Sequence, residues 1–148
     1  MSLQKQVIDK MKEAMKSKDK VALTALRALK SAFMLANTET SSGDTSEADE
    51  LKIVQKQVKQ RKDSAVIFSE QGRDDLAAPE LAEAAILEQF LPEALSNEEI
   101  EKVVKEVIAK VGASGMKDMG KVMGMVSKEL AGQADGKTIS NIVKQTLA

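Results

Sequence analysis

Apolar residues recur at three- and four-residue spacing along most of the chain. In the first segment, Leu3, Val7, Met11 and Met15 stand four apart, which places them on one face of a helix. Later segments repeat this helical spacing, and none sustains the period of two that a half-buried strand requires. The pattern therefore predicts an all-α protein with no β-sheet.

Capping and helix-breaking residues divide this pattern into seven predicted helices. Ser46 with Asp49 and Ser96 with Glu99 form capping boxes, in which a serine hydroxyl and an acidic side chain satisfy the first backbone N–H groups. Gly72 and Gly112 stand where left-handed residues end helices. The predicted caps, in chain order, are Ser2, Asp19, Ser46, Ser96, Asp118 and Thr138, and the fourth helix is predicted to start at Asp74 or Asp75.

The breaks between helices indicate two domains. Residues 38–46 form a polar linker, and the segment from Pro92 to Ser96 follows four predicted helices and precedes three. We therefore predict a four-helix domain over residues 1–94 and a three-helix domain over residues 95–148. In the fourth helix, whose regular part could begin as late as Pro79, the expected inner face is Leu81, Ala84, Ala85, Leu87, Phe90 and Leu91.

The composition removes several classes of function. Three Phe and no Trp or Tyr leave too few rings for a base-stacking nucleic-acid module. Without Cys or His there is no disulfide framework, no zinc site and no His-based acid–base catalysis, so we expect no metal and no cofactor. No apolar run is long enough to span a membrane and no apolar signal region opens the chain, so we expect a cytoplasmic protein without a membrane partner.

Charge is distributed unevenly although its formal sum is only -1. Residues 1–30 hold eight Lys and Arg against three acidic residues, which gives this segment a charge of +5. Two explanations remain open, a locally basic face or ordinary solvated lysines on a surface helix.

The densest polar cluster reads QRKDSAVIFSEQGRDD over residues 60–75. Either two antiparallel helices are joined there by Arg–Asp bridges, or Arg61 and Arg73 form a corner that recognises an anion or a carboxylate. Ser64 has no nearby general base, because Lys62 two residues earlier points elsewhere on a helix. We therefore assign no catalytic residue. This polar corner of undetermined role comprises Arg61, Lys62, Asp63, Ser64, Arg73, Asp74 and Asp75.

Two further patterns that resemble sites have simpler explanations. Paired carboxylates such as Glu80 with Glu83 stand in predicted first turns, where they favour the positive end of the helix dipole. The segment from Gly132 to Thr138 lacks the glycine spacing and the preceding strand of a P-loop. Neither pattern predicts a nucleotide site.

Gly120 and Gly124 stand four apart inside the sixth predicted helix. Each glycine costs about 1 kcal/mol relative to alanine in a helix interior. A pair on one stripe indicates close approach to the backbone, either by a neighbouring helix or by a ligand such as a nucleic-acid backbone.

The motifs together resemble the YqeY-like family. The resemblance is carried by LRALKSA in the second helix, RKDSAVIFSEQGRDDLAAPELAE, FLPEALS and the segment from Asp118 to Ala148. It implies a four-helix domain followed by a three-helix domain. The second resembles the tail domain of the B subunit of the tRNA-dependent amidotransferase, a carbon–nitrogen ligase that uses glutamine as amide donor.

The resemblance implies a site that contacts tRNA rather than a catalytic one. Gln133 follows Gly132 where the family commonly has a basic residue, so one positive charge is missing there. Residues 115–148 hold five lysines against three acids. The positions that match the tail-domain motif are Gly120, Lys121, Gly124, Lys128, Gly132 and Lys137.

Three functions follow as expectations. The first is a non-catalytic helical adaptor that contacts tRNA beside an amidotransferase. The second is carbon–nitrogen ligation, for which the chain by itself supplies neither a glutaminase nucleophile nor an ATP site. The third is a protein-interaction module, with the alanine-rich second helix and the eight methionines facing a partner subunit.

Overall fold

Seven α-helices account for most of the residues that the structure describes. The computed structural model describes residues 2–41 and 43–148, and no strand occurs among them. The all-α prediction is therefore confirmed. The helices are α1 (Leu3–Ser17), α2 (Lys20–Glu39), α3 (Glu47–Glu70), α4 (Asp74–Glu88), α5 (Asn97–Val111), α6 (Met119–Glu129) and α7 (Gly136–Leu147), with a short 3-10 turn at Met116–Asp118 before α6.

Four of the predicted caps lie where the sequence placed them. Each of Ser2, Asp19, Ser46 and Ser96 accepts a hydrogen bond from the backbone N–H three residues further on, at 3.0–3.2 Å. An N-cap side chain of this kind typically contributes about 1 kcal/mol. These interactions fix the starts of α1, α2, α3 and α5.

Two helix starts in the second half differ from the prediction. Asp135, not Thr138, caps α7, because its carboxylate accepts bonds from the Thr138 N–H at 2.8 Å and hydroxyl at 3.1 Å. Asp118 occupies the cap position of α6 without a side-chain cap bond. Its carboxylate instead accepts a bond from the Ser114 N–H at 3.0 Å, which orders the preceding turn.

Two compact units divide the chain, the first ending at Leu91 and the second beginning at Pro92. The first contains α1 to α4 and is built around the buried Leu26, Leu29, Phe33, Val54 and Leu87. The second contains α5 to α7. Its buried core consists of Ile100, Val104, Val107, Val122, Val126, Leu130, Ile139, Val143 and Leu147.

The inner face of α4 is narrower than predicted. Ala84 and Leu87 are buried, but Leu81 is 50% exposed and Ala85 is also exposed. Because apolar and acidic residues are mixed on every side of α4, spacing alone could not identify the side that packs. The helix begins at Asp74 and contains Pro79, whose missing N–H leaves one backbone bond unmade near an exposed surface.

A cluster of polar side chains lies in the first unit, where α1 and α3 begin and α2 ends. The side chains of Gln4 and Asn37 exchange two hydrogen bonds at 3.1 and 3.3 Å, and the Thr45 hydroxyl donates to Asn37 at 2.6 Å. Glu50 lies buried beside them, and burial raises the pKa of its carboxyl against the opposing effect of hydrogen bonds from Gln4. This cluster joins both ends of the polar linker to α1.

Candidate nucleic-acid interface and polar hairpin

One side of α6 consists of glycines and lysines. Gly120, Gly124 and Lys128 follow one another at four-residue spacing with Lys121 beside them, and all four are exposed. Val122 and Val126 on the opposite side are fully buried in the core of the second unit. We call this surface the α6 stripe, defined by Gly120, Lys121, Gly124 and Lys128.

The glycines of the α6 stripe face open space. A Cβ atom added at Gly120 or Gly124 would meet no heavy atom within 4 Å outside the backbone of its own helix. Within the second unit, residues 92–148, no neighbouring helix therefore approaches these positions closely. Intramolecular packing does not compensate for the cost of about 1 kcal/mol that each glycine imposes on α6.

The lysines of this region carry no ion pair. Within the described part of the chain, no carboxylate oxygen lies within 4 Å of the ammonium group of Lys121, Lys128 or Lys137. Two nearby acids are used locally, Asp118 by the Ser114 N–H and Asp135 by the start of α7. The three ammonium groups are therefore solvated and available to an external anion.

The remaining predicted residues, Gly132 and Lys137, lie in the turn between α6 and α7 and in the first turn of α7. Gly132 has a φ of +82°, which suits a glycine, and it is buried in the turn rather than presented at the surface. The Gln133 carbonyl accepts a hydrogen bond from the Leu95 N–H at 3.0 Å. Lys128 in the last turn of α6 and exposed Lys137 in the first turn of α7 thus flank a turn shaped by Gly132.

The predicted polar corner separates into independent pairs along the α3–α4 hairpin. Arg61 Nε lies 3.7 Å from Glu83 Oε2, and both side chains are largely buried, at 12% and 17% exposure. Arg61 also donates from Nη1 to the Gln57 side-chain oxygen at 2.8 Å and to its carbonyl at 3.1 Å. The other pairs are Lys62 with Glu88, Lys59 with Asp63 and Arg73 with Asp75.

The structure does not bring Arg61 and Arg73 together. Arg61 lies nine residues before the end of α3 at Glu70, which corresponds to about 14 Å along the helix axis. Arg73 is exposed beyond the left-handed turn at Gly72 and faces the start of α4. Asp74 is exposed in the first turn of α4, and Ser64 is half-buried in α3.

Arg73 and Asp75 form a local bidentate pair. Arg73 Nε and Nη2 donate to the two carboxylate oxygens of Asp75, each at 3.0 Å. Hydrogen bonding from the guanidinium lowers the pKa of the Asp75 carboxyl and, reciprocally, the carboxylate raises the pKa of Arg73. Both side chains remain more than half exposed.

The sequence interpretation missed the partners that α4 supplies. The predicted first-turn position of Glu83 is wrong, because α4 begins at Asp74, and Glu83 instead pairs across the hairpin with Arg61. A usable signal was present, because Arg61 and Glu83 each stand eleven residues from Gly72. Residues equidistant from the turn of an antiparallel helical hairpin lie at the same level and can meet.

The described residues thus combine an all-helical fold with exposed charged surfaces, and they show no group of three or more acidic side chains arranged to hold a metal. The chain belongs to the Yqey-like protein family, whose model matches residues 4–147. This match confirms the resemblance that the sequence motifs indicated.

Proteins of two kinds are among those similar to this chain. The "Altered inheritance of mitochondria protein 41, mitochondrial" of Pyrenophora tritici-repentis is 29% identical over 93% of this chain and 76% of its own length. The protein of the same name from Clavispora lusitaniae is 33% identical over 82% and 72%. One subunit of the Glutamyl-tRNA(Gln) amidotransferase of Thermococcus gammatolerans is 36% identical over 47% of this chain but only 12% of its own length.

The cytoplasmic location expected from the sequence is wrong by this comparison, because the first two relatives are named as mitochondrial proteins. The expectation rested on the lack of an apolar signal region, which bears on secretion alone. Mitochondrial targeting segments are amphipathic and would not show that feature. In the described residues, the helices are all too short or too polar to cross a membrane.

Proposed function

We propose that this chain is a non-catalytic helical adaptor that contacts tRNA and acts beside an amidotransferase. The observation that carries the proposal is the α6 stripe, where unpaired lysines alternate with glycines that face open space. Such a surface offers positive charge and close access to the helix backbone at the same place. Phosphate groups of a nucleic-acid backbone fit both properties.

The lysines would contact phosphates and the glycines would allow the backbone of the RNA to approach. Lys121 and Lys128 stand seven residues apart, or about 10 Å along the helix. Lys137 adds a third ammonium group at the start of α7. With so few contacts, we expect weak binding that is independent of sequence and weakens with salt by about one unit of slope for each phosphate contact.

The relation to amidotransferases supports tRNA as the partner. The relative from Thermococcus gammatolerans is named for Glu-tRNA(Gln), and its similarity extends over 73 residues. We assign residues 1–94 to the N-terminal four-helix domain of the family and residues 95–148 to the tail-like three-helix domain. The change from one compact unit to the next between Leu91 and Pro92 supports this division.

Filter binding of total tRNA at low salt tests the proposal. The double variant Lys121→Gln, Lys128→Gln should bind more weakly, and the slope of log K against log salt concentration should fall by about 1–2 because two phosphate contacts are lost. Lys102→Gln, Lys105→Gln is the matched control, since it removes two exposed lysines of α5 in the same unit. Equal losses in both variants, or no tRNA retention by the wild type, would refute the proposal.

A second candidate function is a protein-interaction module. Met34 and Leu35 on α2 are 58% and 64% exposed, and Val66 and Ile67 on α3 are 56% and 53% exposed. Apolar side chains presented in neighbouring positions are typical of surfaces that bind another protein. Purification with a protein partner in stoichiometric amount and without RNA would favour this function over tRNA contact.

A further inference from the structure

The two helical pairs of the first unit carry opposite charge. Residues 1–39, which end with α2, hold eight Lys and Arg against four acids, whereas residues 40–91 hold six against eleven. The uneven charge therefore separates the α1–α2 pair from the α3–α4 pair. The positive charge of the α1–α2 pair is separate from the lysines of α6 and from the ion pairs of the α3–α4 hairpin.

Among the described residues 2–30, six cations form no ion pair, and three of them lie on α2. Lys20, Thr24, Arg27 and Ser31 follow one another at three- and four-residue spacing, and all are exposed. Lys30 is exposed at the edge of the same surface. We call Lys20, Arg27 and Lys30, with the hydroxyl groups of Thr24 and Ser31 between them, the α2 basic face. No acidic residue occurs in α2 before Glu39.

Neighbouring acids do not neutralise the α2 basic face. In the described residues, no carboxylate oxygen lies within 4 Å of Lys20, Arg27 or Lys30. The acids of α1 are engaged by lysines of α1, since Glu13 pairs with Lys10 at 3.0 Å and Asp9 with Lys12 at 4.0 Å. Asp19, the remaining acid of the first thirty residues, caps α2 through the Ala22 N–H at 3.0 Å.

The stability of α2 does not explain these cations. Lys20 occupies the first helical position, where positive charge opposes the helix dipole. Packing depends on the other side of the helix, where Ala25, Leu26 and Leu29 are buried. We therefore expect neutral residues in place of Lys20, Arg27 and Lys30 to leave the fold intact.

We infer that the α2 basic face binds the phosphate backbone of RNA, so that the first unit contributes a second contact surface. This inference rests on the proposed function for the identity of the partner. Cations interspersed with hydroxyl groups are the side chains that commonly contact phosphates. The chain has no Trp or Tyr to stack on bases, so contacts to the backbone suit this surface better than contacts to bases.

Salt-dependent tRNA binding by three variants of the full chain tests the inference. Lys20→Gln, Arg27→Gln, Lys30→Gln neutralises the α2 basic face, and Lys121→Gln, Lys128→Gln neutralises the α6 stripe. Lys52→Gln, Lys56→Gln, Lys59→Gln removes three exposed lysines from α3 in the acidic half and serves as the control with the same change in net charge. The α2 variant should lower the salt slope by about 2–3 and the control by less than about 1.

This design tests the α2 basic face and the α6 stripe separately. A loss only in the α6 variant contradicts the α2 basic face and leaves the proposed function intact. A loss only in the α2 variant supports the α2 basic face and contradicts the α6 stripe. Sedimentation at low salt tests whether the α2 basic face instead binds a second copy of the chain. If the wild type forms dimers that the α2 variant cannot form, while tRNA binding is unchanged, the face meets the acidic half of a second copy and the inference is wrong.

Discussion

Charged side chains of similar density behave differently in the α3–α4 hairpin and in α6. In the hairpin, Arg61, Lys62 and Arg73 each have a carboxylate partner. In α6, Lys121 and Lys128 have none among the residues described. A cluster of charges in a sequence therefore identifies a binding surface only after its internal pairing is known, and the clearest test is to remove charges of both kinds.

Removing Arg61 should produce the largest effect on stability. Arg61→Ala leaves Glu83 largely buried without its cation and removes two hydrogen bonds to Gln57. We expect a loss of about 2–3 kcal/mol in the free energy of unfolding, somewhat below the range for fully buried pairs. Urea denaturation followed by circular dichroism measures this difference.

The matched control is Lys121→Ala, which removes an exposed cation without a partner. Its free energy of unfolding should change by less than about 0.5 kcal/mol, as is usual for surface substitutions. If the two variants had the same free energy of unfolding, the pairing of Arg61 with Glu83 would not stabilise the fold. A stable Arg61→Ala protein that had lost tRNA binding would assign the hairpin to the ligand instead.

Alanine at the α6 glycines should shift stability and binding in opposite directions. Gly120→Ala, Gly124→Ala adds two Cβ atoms where nothing lies within 4 Å and should stabilise the protein by about 1–2 kcal/mol. Under the proposed function, the same methyl groups keep the RNA backbone away and weaken tRNA binding. Thermal unfolding and filter binding on the same preparation compare the two effects.

Gly112→Ala provides the control in the same unit. Gly112 also has open space around its Cβ position, but its φ of +67° disfavours any side chain. That variant should lose about 1 kcal/mol without altering tRNA binding. Alanines at Gly120 and Gly124 that stabilise the chain and leave binding unchanged would remove the glycines from the proposed interface.

Much of the fold follows from local sequence signals. Caps such as Ser46 and Ser96 act on their own neighbours, and left-handed glycines such as Gly72 satisfy a purely local requirement. The sequence predicts the start of α7 three residues late, because Asp135 and Thr138 are both good caps. The Thr138 N–H donates to the Asp135 carboxylate, so Asp135 is the cap. The exposed side of α4 is not predictable from spacing, since apolar residues of α4 occur on every side of the helix. Only contacts with other helices determine which side is buried.

The candidate site was predictable only in part. The spacing of Gly120, Gly124 and Lys128 places them on one side of a helix, and the structure adds that this side is open. The partner of Arg61 depends on a contact between two helices, which a reading of neighbours along the chain does not reveal. The sequence pattern predicts Gly132 at the same surface as the lysines, yet the structure buries it in the turn.

The exposed pair of Arg73 and Asp75 should show the smallest effect, because water screens an ion pair on the surface. The guanidinium lowers the pKa of the Asp75 carboxyl in the folded protein, so the pair stabilises the fold above the pKa of the unfolded chain. This contribution disappears as the pH falls through the lowered folded value. In Arg73→Gln the pKa of Asp75 should return towards that of an ordinary aspartate, and the variant and the wild type should have equal stability in acid.

Carboxyl carbon NMR titration of both proteins measures the pKa of Asp75 directly. Arg73→Gln is compared with Lys62→Gln, which removes another cation of the same hairpin but leaves Asp75 bonded to Arg73. An unchanged pKa of Asp75 in Arg73→Gln would mean that the bidentate pair does not persist in solution. Arg73 would then be as free as Lys121, and the contrast between the hairpin and α6 would hold only for the largely buried pair of Arg61 and Glu83.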